Sequence, residues 1–164
     1  MLSSKQKKTM ETKEFMITDD ILASKGQRFL NCIIDLLIVY VLTIGIGAGV
    51  NILGQVTGNF KLSEWIVSLT LIENLIFGLV VLFFYYAIME MYLSRTFGKY
   101  FTKTLVVKHN GIKPNMKSII IRTLVRMIAF EAFTFLNDNA RGWHDTLSVT
   151  YVVKKHEFIA KMKV

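Results

Sequence analysis

Arg28, Asn31 and Asp35 follow one another at spacings of three, four and seven residues, so on a helix they form one polar stripe. The stretch that carries them, residues 29–50, is otherwise almost wholly apolar, and an ionisable group at that depth needs a partner. Two chemistries fit. Either Asp35 is a site for a proton, a cation or a polar solute, or it is half of a buried ion pair that locks helices together. Arg28 lies about two turns away, roughly 10 Å along the axis, so a direct pair would need both side chains to reach. Arg122 and Arg126, one turn apart on a later segment, are candidate partners from another helix. Glu73 and Glu90 pose the same choice in a second apolar stretch. Their separation of 17 residues turns them about 100° apart on an ideal helix, so they are not one carboxylate pair, and Glu73 fits the outer interface.

The elements that must hold these groups are set by run length. The chain has 164 residues, 52% of them apolar, and its apolar residues fall in long runs instead of at core-helix spacing. Residues 29–50 are long enough as a helix to cover the ~30 Å of a hydrocarbon core. Residues 65–93, about 29 in number, must tilt, protrude or begin as an interfacial turn at Trp65. Two such helices buried in a soluble chain this small would be an unusual core. Residues 1–28 are polar and carry Lys5, Lys7, Lys8 and Lys13, with no removable signal peptide, so the first span is its own insertion signal.

Charge orients the spans. Lys5, Lys7, Lys8, Lys13, Lys25 and Arg28 precede the first; Arg95, Lys99, Lys103, Lys108, Lys113 and Lys117 follow the second; the connection 51–64 holds only Lys61. Short basic flanks stay in the cytoplasm, so both ends of the hairpin are expected there, with the N-terminus cytoplasmic. The net charge of +8 then reads as topology plus attraction to anionic lipid heads, with no nucleic-acid partner. A third segment, 119–136, carries Arg122, Arg126 and Glu131 and is a poor isolated span. If it crossed, Lys154, Lys155, Lys161 and Lys163 would lie outside. The β-prone stretches 104–109 and 148–154 flank it and can pair only on one side, which favours a re-entrant or interfacial helix over a third full span shielded by other helices or a second subunit.

Other signals exclude chemistry. Gly45, Gly47 and Gly49 form a small-residue patch in which Gly45 and Gly49 have the spacing of close-packed membrane helices, and no dinucleotide context surrounds them. Gly98-Lys99 lacks the rest of a phosphate-binding loop. The single cysteine, Cys32, excludes an internal disulfide; His109, His144 and His156 have no metal-ligand spacing. No nucleophile constellation is present, so no enzyme, cofactor or metal is expected.

In order and spacing these residues resemble the RDD family of prokaryotic membrane proteins, named for an arginine and two aspartates. The resemblance runs through Ala23-Ser24-Lys25-Gly26-Gln27-Arg28-Phe29 with Asp35, then Glu90 with Thr96-Phe97-Gly98-Lys99, then Leu105-Val106-Val107 with Asn110-Gly111, Arg122 and Arg126. It closes on His144-Asp145-Thr146-Leu147-Ser148-Val149-Thr150-Tyr151-Val152-Val153. It puts the family arginine on Arg28 and the aspartates on Asp35 and Asp145. Ser94-Arg95 departs from it, standing where a glycine is expected before the Thr-x-Gly-Lys turn. For function the resemblance offers transport, sodium/proton exchange included, as the activity suggested for some members of the family, and names no substrate.

The sequence thus predicts an all-α membrane protein: a transmembrane helical hairpin, a third amphipathic, re-entrant or spanning helix, and a small cytoplasmic β-pair. Its parts are a cytoplasmic segment 1–28, a membrane domain 29–153 with helices at about 29–50, 65–93 and 119–136, and a basic tail 154–164. The expected function is transport of protons, sodium or small solutes across the cytoplasmic membrane by a multi-pass protein. Because two or three spans shelter little interior, a homo-oligomer or a membrane-protein partner is expected. In this reading Asp35 binds the cation or proton, Arg28 tunes its charge, and Asp145 with Arg122 and Arg126 forms a cytoplasmic clamp, with Asn31 and Glu90 in the same network. The rival is a non-transporting accessory or regulatory subunit that anchors a partner protein.

Overall fold

The computed structural model describes residues 17–128 and 141–162. Lys5, Lys7, Lys8, Lys13, Glu131 and Lys163, and residues 129–136 of the expected third helix, lie outside the described residues.

The chain is mostly helical. Helix α1 spans Lys25–Thr57 and α3 spans Leu71–Leu93, and both are long and apolar enough to cross a membrane. At 33 residues α1 is about 50 Å long, well beyond the ~30 Å of a hydrocarbon core. Only 17% of the most apolar stretch of each helix is buried, which separates them from the covered core helices of a soluble fold. Leu37, Tyr40 and Val41 on α1 and Leu71, Leu75 and Ile76 on α3 are all exposed. Where α1 and α3 do meet, Val39, Tyr85 and Tyr86 are buried against Ile38, Val81, Leu82 and Met89.

The helix limits differ from the sequence expectation for local reasons. Ser24 starts α1 four residues before Phe29 through a capping box: its hydroxyl accepts from the Gln27 N–H, and the Gln27 side chain accepts from Ser24 N–H. At the far end α1 runs into the expected connection and stops at Gly58, whose φ of 69° favours a residue without Cβ. Helix α2 (Lys61–Ser68) then folds back on α1. The second apolar stretch is therefore broken: Thr70 opens α3 with its own capping box, in which Glu73 Oε2 accepts from Thr70 N–H at 2.8 Å. Glu73 is thus a helix cap.

After α3 come α4 (Phe97–Phe101), strand β1 (Thr104–Lys108), α5 (Met116–Arg126), α6 (Trp143–Leu147), strand β2 (Thr150–Lys154) and α7 (Lys155–Met162). The two β-prone stretches form the only sheet among the described residues, antiparallel with Val106 opposite Val152. The N-terminal segment joins β2 through a bridge between Leu22 and Val153 and a bond from Ala23 N–H to Val152 O at 2.9 Å. The entrance to α1, the exit of α3 and the C-terminal strand are consequently tied at one end of the long helices. Strand alternation then assigns two faces. One side presents Val107 and Val153 to Ile21 and Phe158, with Leu105 and Tyr151 beside them; the other presents Thr104, Val106, Val152 and Thr150. Much of the stretch read as a basic tail is helix α7, seated by Phe158 and by Lys161, whose ammonium lies 2.6 Å from Asp20.

Ser94 ends α3 in the left-handed region, with φ of 54°. This is the position where the sequence comparison expects glycine, and the backbone there explains the expectation, since a side chain costs roughly 1 kcal/mol in that region. Ser94→Gly should therefore raise the thermal midpoint in detergent by the equivalent of about 1 kcal/mol. Gly58→Ala should lower it by a similar ~1 kcal/mol.

Candidate functional site

The polar stripe of α1 is buried, and each of its members meets a different element. Asp35, 1% exposed, is held by three neutral donors: Tyr85 OH at 2.7 Å and Gly98 N–H at 2.9 Å to Oδ1, and Thr96 OH at 2.6 Å to Oδ2. One turn below, Asn31 accepts from Thr102 OH through its carbonyl and donates to Thr104 Oγ1 at 3.2 Å. At the helix entrance Arg28 Nη1 pairs with Asp145 and its Nε donates to Ala23 O. The stripe thus fixes α3, α4, β1 and α6 against α1.

These partners differ from the expected ones. Arg28 faces Asp145, neither Arg122 nor Arg126 is a hydrogen-bond partner of Asp35, and Arg126 goes to Glu90. The reason is geometric. The Thr96-Phe97-Gly98 turn comes so close to α1 that its hydroxyl and backbone N–H reach Asp35 first. A Cβ added at Gly98 would sit 2.5 Å from Asn31 O and 2.9 Å from Asn31 Cα. At Gly45 and Gly49, by contrast, an added Cβ meets nothing within 4 Å, so the glycine that lets the turn pack closely on the stripe is Gly98.

Beside the stripe lies a second layer, built on two carboxylates. Glu90, fully buried near the end of α3, accepts from Lys99 Nζ at 2.8 Å, Arg122 Nε at 3.0 Å and Arg126 Nη2 at 2.8 Å. Asp145, also fully buried, pairs with Arg28 and Arg122, and His144 Nε2 lies 3.4 Å from its Oδ1. Arg122 belongs to both: its guanidinium bridges Glu90 and Asp145 and also meets Thr150 Oγ1. Arg126 lies over the Tyr86 ring, 4.3 Å from its centroid.

Burial alone would raise the Asp145 carboxyl, but His144, Arg122 and Arg28 overturn that and hold it well below the usual carboxylate range. Burial lowers the Lys99 ammonium, with Glu90 opposing the shift. For Arg126, burial works against the charge and Glu90 outweighs it, so the guanidinium is held even more firmly protonated.

Between these layers is a cavity of about 130 Å³. Its polar wall is Arg28, Asn31, Asp35, Lys99, Arg126 and His144; its apolar wall includes Cys32, Leu36, Leu82 and Tyr86. The structure therefore brings Arg28, Asn31, Asp35, Glu90, Arg122, Arg126 and Asp145 into one cluster, of which Glu90, Arg122 and Asp145 stand behind the cavity wall. Sequence reasoning gave no ligand role to Tyr85, Thr96, Gly98, Lys99, Thr102, Thr104 or Thr150. For Thr96, Gly98 and Lys99 the turn motif was a usable signal; Tyr85 inside an apolar run offered none.

The family model described as RDD family matches residues 22–149. No curated protein and no solved structure matches the chain. The matched span contains every charged side chain of the cluster.

Gly98→Ala should cost several kcal/mol, because the new Cβ meets the backbone of α1, whereas Gly45→Ala should stay within about 0.5 kcal/mol in the monomer; thermal melts in detergent distinguish them. Asp145→Asn leaves two buried guanidinium groups facing an amide and should destabilise by roughly 3–5 kcal/mol at neutral pH. The pH sign follows from a folded pKa below the unfolded one. The stabilisation is present above about pH 4 and is lost as pH falls toward the folded value, so Asp145→Asn should flatten the acid side of a melting-versus-pH curve.

Proposed function

The chain belongs to the RDD family of membrane proteins, and from that premise we propose that it is a multi-pass protein of the cytoplasmic membrane that moves a proton or a small solute through the cavity at Asp35. The observation that carries this reading is the state of Asp35. Glu90 and Asp145 are held by cations, whereas Asp35 is held by Tyr85, Thr96 and Gly98 and borders a cavity. Asp35 is thus the carboxylate of the cluster that can exchange a hydrogen-bond partner at the cavity with no ion pair to break. A sodium ion is a poorer fit, because it would meet Arg28, Lys99 and Arg126 across about 130 Å³.

The proposed orientation has the N-terminus in the cytoplasm. It rests on Lys25, Arg28, Arg95, Lys99 and Lys103 at the tied end of the helices, against Lys61 alone in the connection at the other. Pairing of β1 with β2 supports a segment between them that starts and returns on that same side, and the 11 residues of α5 are too short to cross alone. A path sheltered from lipid would come from several copies, for which the open faces at Gly45 and Gly49 are available.

One observation favours the rival, an accessory subunit in which the charges only lock the fold: each carboxylate of the cluster already accepts from at least two groups. Flux separates the two readings. In proteoliposomes holding the purified protein alone, native protein should carry a proton or solute flux that Asp35→Asn abolishes at matched yield, oligomeric state and melting midpoint. Native protein that is folded and carries none would favour the accessory subunit.

A further inference from the structure

Among the described residues the charges around the cavity do not balance. Among the described residues the cluster buries four permanent or paired cations, Arg28, Lys99, Arg122 and Arg126, against three carboxylates, Asp35, Glu90 and Asp145. An excess positive charge in a low-dielectric layer is costly unless something neutralises it. The hydrogen bonds point to where it is neutralised. Arg126, whose side chain is 9% exposed, spends Nη2 on Glu90 and leaves the buried Nη1 with no hydrogen-bond partner among the described residues, and Arg126 forms part of the cavity wall. Arg122 Nη2, behind it, is also buried without a hydrogen-bond partner among the described residues. A native interior seldom leaves guanidinium N–H groups in this state, since each costs about 1–3 kcal/mol unmade.

We infer that the cavity is a binding site for a phosphate-type oxyanion, held by Arg126 Nη1 with Lys99 and Arg28 as flanking cations. A tetrahedral oxyanion offers acceptors in several directions, which matches cations arriving from α1, α4 and α5, and the arginine fork suits it. The volume of about 130 Å³ far exceeds the ~10–15 Å³ one water needs and is small for a drug-sized ligand, as fits a single oxyanion group. Asp35 is the carboxylate on the same wall, and its oxygens are turned onto Tyr85, Thr96 and Gly98.

The opposite wall bears on the source of the group. Leu36 and Leu82 line the cavity, and Leu36 is 47% exposed. A phosphate seated at Arg126 would have its substituent beside this apolar surface. A lipid phosphate and a free phosphate share the oxyanion chemistry, and the experiment separates them. The inference names a ligand class for the cavity on which the transport reading also rests. Binding is measured with no gradient, so it can hold where flux fails, and fail where flux holds.

Cys32, the single cysteine of the chain, lines the cavity and reports on its occupancy without any substitution. The full-length protein in neutral detergent is treated with a maleimide in four conditions: chloride alone, inorganic phosphate at equal ionic strength, micelles doped with phosphatidylglycerol, and micelles doped with phosphatidylcholine. Slower Cys32 labelling with phosphatidylglycerol alone assigns a lipid headgroup, and slower labelling with inorganic phosphate assigns a free phosphate. Arg126→Gln should weaken the protection about tenfold or more in ligand concentration. Lys117→Gln, on the exposed face of α5, should leave it unchanged. Equal labelling rates in all four conditions for native protein overturn the inference, as does protection that Lys117→Gln weakens as much as Arg126→Gln does. If Arg126→Gln does not fold, the native rates decide.

Discussion

Removing Arg122 from water is the cost around which this molecule is arranged. Its guanidinium is fully buried, and taking an ion into such a layer costs several kcal/mol even after relaxation. The fold offsets that cost by bringing Glu90 from α3, Asp145 from α6 and Thr150 from β2 to one side chain on α5. Neither carboxylate is held by Arg122 alone. Glu90 needs Lys99 and Arg126, Asp145 needs Arg28, and so the requirement passes outward until most elements of the chain have been recruited. The cluster determines how helices of little mutual contact are held together.

The small sheet makes this layer possible. Its outer side packs Val107 and Val153 onto Ile21 and Phe158, an ordinary apolar core that anchors the strands. Its inner side turns Thr104 and Thr150 inward, and these hydroxyls meet Asn31 and Arg122. Strand periodicity thus converts one hydrophobic contact into two correctly aimed polar groups. Val149 enters β2 with φ of 52°, a backbone state rare for a β-branched residue, and this turn lies between Asp145 and Thr150. The chain tolerates strain where it must place both groups against one arginine.

Much of this was legible in the sequence, for identifiable reasons. Run length revealed the two apolar helices, because lipid demands a fixed length of apolar surface. Periodicity put Arg28, Asn31 and Asp35 on one face, and β-branched content marked both strands. The helix ends were harder to see, since the capping boxes at Ser24 and Thr70 outweigh hydropathy locally. Partner identity was not legible. Charge suggested that Asp35 would seek an arginine, but contact is decided by how closely backbones approach, and Gly98 lets a neutral turn arrive first. Which arginine meets which carboxylate depends on the crossing of α5 with α3, and no spacing along the chain encodes that.

The span of the network has a consequence for how the protein is made. Arg28 and Asp145 are 117 residues apart, so α1 is synthesised and leaves the ribosome long before the partner of its first charged residue exists. Until residues 85–98 are made the helix must be held in the bilayer by its apolar length alone, with Asp35 still lacking Tyr85, Thr96 and Gly98. Completion of the chain as far as Thr150 is what turns a partly inserted, polar-striped helix into a settled one. A chain cut short before Gly98 would present an unmet carboxylate within the membrane, the kind of defect by which membrane quality-control proteases can tell an unfinished protein from a finished one.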